Sequence, residues 1–520
     1  MIKIKNSRSL FLIILFLIIL IATVLRVYKL GNKGIWHDEA SSIAMSQADF
    51  SISTLLNVLN YKPLYFLSLK LWSVIFGISA FWLRLLSVIF AIISLLLVYL
   101  IGKEISGRKV GMISSFLLAI SCFHIYHSQQ VRQFTLMFLL ITLSYLCLIR
   151  LIKYNKIKYY MLNTVSNILL MFTHPYGLAI IISENIYLFF IKKESGYLRK
   201  KYFFCQLFTL VFFLLWLLLS SYRPYMLHNV WWIEKPDLNT ILEIFQTFSY
   251  GGPRYGLDDF RISFKYGIIN IISFFLYNVF FIKGLFNKVS ANYNWKSLLC
   301  FWFFVPIVVA YSVSFFIPVL SIKHLFIVLP AYYIIVAIGI CNLKRKSVAI
   351  LALLLFLLGA YPLKIMYSED ANVHWREIVN YLRNNIRKDD AIVISNQDEL
   401  PAFLYYFCEQ PKTCFKNMNP NIPGKIINKE ISEIFYENSN LIIGIKQNRG
   451  EGSDFVKQDF DRKFKYLQSD FNFTNAWFIL TRWTEEPESK YMEEAFNKKF
   501  VMKKMQSLEG TSIYKINLSK

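Results

Sequence analysis

Long apolar blocks recur along the chain, and most of them are long enough to cross a lipid bilayer. A membrane-spanning helix needs roughly 17–25 predominantly apolar residues. Of the 520 residues, 56% are hydrophobic and only 17% are charged. The apolar blocks are residues 9–25, 84–101, 110–126, 134–151, 160–174, 176–192, 203–221, 267–286, 297–316, 324–341 and 347–366. The sequence therefore predicts an all-α polytopic membrane protein with about 11 transmembrane helices.

The lysines and arginines between these blocks predict the orientation. The formal net charge is +24, which in a soluble protein would suggest a nucleic-acid partner. Here the basic residues cluster in short loops, namely 102–109, 153–159, 192–201, 283–288 and 342–347, and in the N-terminal tail. Such loops favour the cytoplasmic side and anionic lipids, so no nucleic-acid partner is predicted. All of them are cytoplasmic only if residues 63–80 form an interfacial or re-entrant helix instead of a span.

This topology brings scattered polar groups to one face of the membrane. The N-terminus is then cytoplasmic and the C-terminal part extracytoplasmic in a multi-pass protein of the cell (inner or plasma) membrane. The groups predicted at the outer surface are Asp38, Glu39, Lys62, His127, Arg132, His174, Lys323, His324 and the loop 222–266. The loops were assigned from their positive charge alone, without regard to these groups. The convergence of the groups at one face therefore predicts a functional site there.

Residues 367–520 are more polar and contain no apolar block of spanning length. Short alternating segments predict helices and strands, which indicates a small extracytoplasmic α/β domain. The predicted domains are therefore 1–366, with outer loops 26–83 and 222–266, and 367–520. Cys408 and Cys414 lie in this second part, and outside the cytoplasm they could form a local disulfide.

Two adjacent carboxylates, Asp38 and Glu39, follow the first apolar block in the segment GIWHDEA. Burying either group in hydrocarbon would be costly. Ionised carboxylates suit proton abstraction, metal ligation or hydrogen bonding to a sugar. The structural alternative is that Asp38 caps a surface helix that begins at Glu39.

Four further segments, together with WHDEA, carry a resemblance to a known superfamily. They are the YKPLYF…GISAFWLRLLS stretch, FHIYHSQQVRQF, THPYG and KHLFIVLPAYY. In this order they resemble the GT-C glycosyltransferases, in the branch of the protein mannosyltransferases and lipid A glycosyltransferases. Phe134 stands where the "S-Q-x-x-R-x-Y" element has Tyr. The resemblance covers about residues 1–370.

The resemblance implies an inverting transfer of a hexosyl or pentosyl group from a polyprenyl-phosphate carrier to a lipid, glycan or protein acceptor outside the cytoplasm. Such a transfer needs a base for the acceptor hydroxyl and cations for the departing phosphate. Asp38 matches the position of the family's base. Glu39 would orient it or bind the acceptor.

Lys62 matches the lysine of the aminoarabinose transferases that lies at the donor phosphate. Tyr61, a candidate substrate contact, stands where those enzymes have Glu, which puts a metal site involving that Glu in doubt. No cofactor or metal ligand is therefore assigned, and binding of a divalent cation is left as an open alternative. The structural alternative for Lys62 is an interfacial lysine whose charged end reaches the water.

The remaining candidates divide between phosphate binding and substrate binding. Arg132 and Lys323 are candidate phosphate ligands, because Arg binds phosphate through a two-pronged fork and stays charged. The candidate substrate contacts are Arg84, His127, Gln130, His174 and His324. Each has a structural alternative, such as lipid-headgroup contact, interfacial anchoring or, for Arg84, an ion pair with Asp38 or Glu39.

Two other functions fit parts of the pattern. A flippase for polyprenyl-linked glycans should carry broken spans and charges at mid-membrane. An O-antigen-ligase-like enzyme would use a diphosphate donor at the same outer surface. Because the charges gather at one surface, the sequence favours the glycosyltransferase.

Overall fold

The computed structural model describes residues 2–47, 63–190, 196–219, 233, 235–251, 267–287, 294–368, 374–387, 390–417, 434–437, 440–444, 475–481, 502–508 and 511–517. Contacts divide the chain into two compact units. We call residues 1–32 and 55–370 the helical unit, and residues 33–54 and 371–520 the sheet unit. The segment 33–54, which contains the acidic motif, thus packs with the C-terminal part. The predicted domains, split after residue 366, did not anticipate this.

The described helices match the apolar blocks closely. In chain order they are α1 (Ile2–Val27), α2 (His37–Gln47), α3 (Pro63–Phe76), α4 (Ala80–Ser106), α5 (Arg108–Ile120), α6 (Cys122–Ser128), α7 (Phe134–Tyr154), α8 (Ile157–Met171), α9 (Gly177–Phe190), α10 (Gly196–Leu219), α11 (Leu238–Tyr250), α12 (Gly267–Phe286), α13 (Trp295–Ser314), α14 (Leu329–Cys341), α15 (Arg345–Ser368), α16 (Trp375–Asn385), α17 (Leu400–Phe407) and α18 (Pro411–Asn417). Each of the 11 predicted blocks falls on one or two of these helices.

Seven helices among the described residues are long and apolar enough to cross a membrane, and α5 with α6 would make eight. The predicted spans 160–174 and 176–192 correspond to α8 and α9, which have only 15 and 14 residues. The multi-span architecture is confirmed, while the count of 11 stays a prediction. The helix α3, also 14 residues long, corresponds to the predicted interfacial segment.

The block 110–126 forms two helices with a bend of 63° between them, where the sequence predicted one continuous helix. A broken helix leaves backbone carbonyls without partners inside an apolar bundle. Arg26, fully buried in α1, donates to the carbonyl oxygens of Leu118 and Ala119 at 3.1 and 3.0 Å. Its guanidinium also lies 2.7 Å from Nδ1 of His124. Arg26 therefore stabilises the break.

A buried carboxyl group links four helices in the middle of the bundle. Glu184 of α9 is fully buried and receives hydrogen bonds from Ser144 of α7 at 2.6 Å, Asn167 of α8 at 2.9 Å and Tyr202 of α10 at 2.9 Å. An acidic group at such a depth is retained only when partners satisfy it. The cluster holds together the helices that lead to and from the turn at His174.

The sheet unit contains a six-stranded sheet. Its strands are β1 (Ala391–Ile394), β2 (Ile434–Glu437), β3 (Asn440–Gly444), β4 (Asn475–Thr481), β5 (Met502–Leu508) and β6 (Thr511–Asn517). The order is β2-β3-β1-β4-β6-β5, with β1 parallel to β3 and β4 and the other pairs antiparallel. Buried apolar strands at the centre form its core, as the sequence predicts for a small α/β domain.

Cys408 and Cys414 form a disulfide between the end of α17 and α18. The pairing predicted from their spacing is therefore present. Five other cysteines, all in the helical unit, are free thiols: Cys122, Cys147, Cys205, Cys300 and Cys341.

Candidate active site: an acidic motif and a cationic ring cluster

The acidic motif opens a helix of the sheet unit. The helix α2 begins at His37, and the amide of Ala40 already donates to the carbonyl of Trp36. Asp38 and Glu39 therefore lie in the first turn, where the helix dipole favours negative charge. Trp36, not Asp38, precedes the helix, so the capping role considered for Asp38 is not the one observed. Glu39 is buried, whereas Asp38 keeps 26% of its side chain exposed.

The C-terminal part of the chain holds this motif in place. Nδ1 of His37 lies 3.7 Å from a carboxyl oxygen of Glu399, and Nε2 lies 3.7 Å from a carboxyl oxygen of Asp38. Trp375 donates to the other oxygen of Glu399 at 2.8 Å, and the amide of Ile35 donates to the hydroxyl of Tyr406 at 2.8 Å. Burial raises the pKa of the Glu399 carboxyl, and the nearby His37 ring opposes that rise.

The helical unit contains a cluster of histidine and aromatic rings that draws on three parts of the sequence. His127, at the end of α6, contacts Phe134 and Phe326 with ring centroids 4.7 and 5.0 Å apart. His324 lies 4.9 Å from His174 and 6.2 Å from Phe134 between ring centroids. The predicted substrate contacts His127, His174 and His324 thus lie in one place, which we call the ring cluster.

Two cationic side chains accompany the ring cluster. The Arg132 guanidinium carbon lies 6.0 Å from the centroid of Phe134, and Lys323 directly precedes the short 3-10 helix His324–Val328. Two cations beside these rings form an environment suited to a phosphate group.

Three helix ends and a turn fix the geometry of this cluster. α7 begins at Phe134, α8 ends at Met171, and the turn to α9 carries His174. The Tyr176 hydroxyl donates to the carbonyl of Val319 at 2.6 Å, which ties this turn to the segment before Lys323. The amide of Leu64, in the first turn of α3, donates to the carbonyl of Phe172 at 3.3 Å.

Two of the predicted substrate contacts, which stay predictions, also make hydrogen bonds within the helical unit. Arg84 is buried and donates to the carbonyl of Leu30 at 3.0 Å, within the helical unit. Gln130 is also buried, and its backbone carbonyl accepts a hydrogen bond from Ser87 at 2.7 Å. Tyr61 and Lys62 lie outside the described residues, as does most of the predicted loop 222–266, within which the helix α11 is described.

The sequence analysis missed four side chains of this region: Arg26, Gln129, Glu184 and Glu399. Gln129 donates to the carbonyls of Arg26 and Tyr28 and so satisfies the end of α1. A lone charged residue inside an apolar block, as Glu184 is, or directly after one, as Arg26 is, was the available signal. Glu399 had no comparable signal, because its partners lie far away in the sequence.

No group of three or more histidine, cysteine or acidic side chains is arranged to hold a metal ion among the residues that the structure describes.

The chain resembles known proteins in sequence over part of its length. Residues 61–219 match the family of dolichyl-phosphate-mannose-protein mannosyltransferases. This range includes Lys62, Arg84, Arg132 and His174. No curated protein matches the sequence.

The resemblance in structure covers nearly the whole chain. ArnT from Cupriavidus metallidurans, in the apo state, superposes with a TM-score of 0.61 at 10% identity, over 96% of this chain and 97% of that one. The chain has the GT-C fold. The same protein bound to undecaprenyl phosphate gives a TM-score of 0.58 at 11% identity, again over 96% and 97% of the two chains.

The arabinofuranosyltransferase AftD from Mycobacteria also has this fold. It matches with a TM-score of 0.52 at 10% identity, over 97% of this chain and 40% of its own. The GT-C resemblance drawn from WHDEA and the later motifs is confirmed, and so is the predicted class of polytopic membrane protein with a small C-terminal sheet region.

Proposed function

We propose that this GT-C protein transfers a sugar from a polyprenyl-phosphate carrier to a lipid, glycan or protein acceptor, with inversion at the anomeric carbon. The fold, the match to the mannosyltransferase family and the ring cluster with its two cations support the proposal. The observation that carries it is the position of Arg132 and Lys323 beside the ring cluster, because a departing phosphate needs such charge.

In the proposed reaction, Asp38 takes the proton of the acceptor hydroxyl. The acceptor oxygen then bonds to the anomeric carbon while the bond from that carbon to the phosphate oxygen breaks. A carboxylate suits this role when it is partly exposed and fixed in direction, as Asp38 is beside His37. Glu39, buried in the same turn, would hold the backbone of the motif or contact the acceptor.

The departing polyprenyl phosphate gains negative charge as the bond breaks. Arg132 and Lys323 would neutralise that charge, and His174 and His324 would contact the sugar or the phosphate. The solved ArnT complex contains undecaprenyl phosphate, which is a carrier lipid of the proposed kind. Lys62 matches the lysine that lies at the donor phosphate in the aminoarabinose transferases, so it would add a third cation.

The orientation is part of the proposal. The basic loops support a cytoplasmic N-terminus, an extracytoplasmic sheet unit and a location of the protein in the cell membrane. The disulfide between Cys408 and Cys414 supports an oxidising surrounding for the sheet unit.

The broken helix and the intramembrane Glu184 are features that a flippase would also have. However, Arg26 donates to backbone carbonyls at the break, and Glu184 accepts hydrogen bonds on both carboxyl oxygens. Both groups therefore have partners within the protein and are not arranged to bind a passing substrate. A diphosphate donor would use the same two cations. Only an assay that offers both kinds of donor distinguishes the two reactions.

Replacing Arg132 tests the phosphate role. Arg132→Gln removes the fork and the charge, and a hydrogen bond to a charged group contributes about 1.5–3 kcal/mol. We therefore expect the dissociation constant for undecaprenyl phosphate to rise by about 10–100-fold. Titration of purified protein in detergent, followed by the change in intrinsic fluorescence, measures it.

Arg150→Gln is the matched control. Arg150 lies near the other end of α7 and pairs with Glu104 at 3.5 Å. The same substitution there should leave lipid binding unchanged. Equal affinity of Arg132→Gln and the wild type would refute the phosphate role of this side chain.

A further inference from the structure

A chain of three side chains joins the C-terminal part of the protein to the proposed base. We propose that Glu399 and His37 form a positioning pair, which holds the carboxylate of Asp38 in the direction needed to accept a proton. This inference rests on the proposed function of Asp38. It also assigns a role to the sheet unit, which contains both side chains of the pair and would thereby orient the proposed base.

The two nitrogens of His37 face different carboxyl groups. Nδ1 lies 3.7 Å from Glu399 and Nε2 lies 3.7 Å from Asp38. The ring therefore lies between the two carboxyl groups and contacts both at charge-pair distance.

Glu399 is fixed well enough to direct that ring. Its carboxyl group is buried, and the indole N–H of Trp375 donates to it at 2.8 Å. It ends the short 3-10 helix Gln397–Glu399, directly before α17. The same α17 supplies the Tyr406 hydroxyl that accepts from the amide of Ile35. Ile35 and His37 are thus attached to α17 and to the residue directly before it.

The charges around Glu399 determine the sign of the effect. The groups that face it are His37, Asp398 and Asp38, one base and two acids. His37 attracts the Glu399 carboxylate, whereas the two aspartates repel it. Removing the charge of Glu399 should therefore weaken the contact that directs the His37 ring toward Asp38.

Glu399→Gln tests this directly, because the amide oxygen can still accept from Trp375. Histidine labelled with ¹⁵N reports the surroundings of the ring by NMR, and the signal of His37 is identified as the one lost in His37→Asn. At one fixed pH, we expect the chemical shifts of the His37 ring nitrogens to differ between Glu399→Gln and the wild type. Unchanged chemical shifts would overturn the proposal.

Glu377→Gln is the matched control. His374 and Glu377 form another imidazole–carboxylate contact in the sheet unit, at 3.8 Å, with Glu377 54% exposed. This substitution should leave the His37 signal unchanged. A shift of His37 as large as that in Glu399→Gln would mean that the effect is a general change of charge, and would also overturn the pairing.

The kinetic readout separates positioning from folding. In Glu399→Gln we expect kcat to fall, with KM for the donor and the melting temperature unchanged, and by less than in Asp38→Asn. A loss of kcat in step with a lowered melting temperature would indicate a purely structural role and would overturn the proposal. If the wild type transfers no sugar, the proposed function fails, while the NMR comparison still decides the pairing.

Discussion

We expect Asp38→Asn to lower the rate of sugar transfer by about 10²–10⁴-fold, the usual contribution of a general base. The amide keeps the size of the side chain and removes its basic oxygen. Expression, melting temperature and the dissociation constant for undecaprenyl phosphate should stay near those of the wild type. Single-turnover transfer, with enzyme in excess over donor, measures the loss on the chemical step.

Asp237→Asn is the control for this substitution. Asp237 is exposed and caps α11, with its carboxylate accepting from the amide of Thr240 at 2.9 Å. Asn caps a helix about as well as Asp, so turnover should not change. If Asp38→Asn behaved like Asp237→Asn, the carboxylate of Asp38 would have only a local structural role.

Arg26→Met should have the largest effect on folding. The guanidinium satisfies the carbonyls of Leu118 and Ala119 at the break between α5 and α6. The carbonyl of Leu118 also accepts from the amide of Ser121, so the loss falls mainly on the carbonyl of Ala119. A buried carbonyl left without a partner costs about 1–3 kcal/mol. We therefore expect a lower melting temperature in detergent and a smaller monodisperse fraction, measured by fluorescence-detected size-exclusion chromatography after heating.

Lys29→Met separates this effect from the loss of any cation near the end of α1. Lys29 is exposed and donates to the carbonyl of Tyr367 at 3.2 Å. Its replacement should shift the melting temperature far less. Equal stability of Arg26→Met and Lys29→Met would contradict the assigned role of Arg26.

The positions of the helices could be predicted because apolar runs report directly on burial in lipid. Each of the 11 blocks lies on helix, and the described C-terminal residues form the predicted mixture of short helices and strands. The break at Ser121 could not be predicted in the same way. It depends on Arg26, nearly a hundred residues earlier, and the hydropathy of 110–126 is continuous across it.

Individual site residues were predictable only where the local sequence carries a signal. Arg132, His174 and His324 interrupt or end apolar blocks, and the structure brings the two histidines together. Arg84 has the same signal and turned out to bind a backbone carbonyl. Residue type and depth identify a polar group that needs a partner, and they do not identify the partner.

The packing of the acidic motif was beyond prediction from local patterns. Its contacts with Glu399 and Tyr406 join residues more than 300 positions apart. No periodicity or charge rule encodes such a pairing. It arises from how α2 packs within the sheet unit, which only the folded structure reveals.

The central claim is that the protein takes a sugar from a polyprenyl-phosphate carrier. The most direct measurement incubates the purified protein with a panel of radiolabelled undecaprenyl-phosphate sugars, alongside the matching diphosphate donors, with a membrane lipid extract as acceptor. We predict that at least one monophosphate donor loses its sugar, with release of undecaprenyl phosphate, in the wild type and not in Asp38→Asn. Consumption of diphosphate donors alone, or release that is equal in the two proteins, would contradict this account.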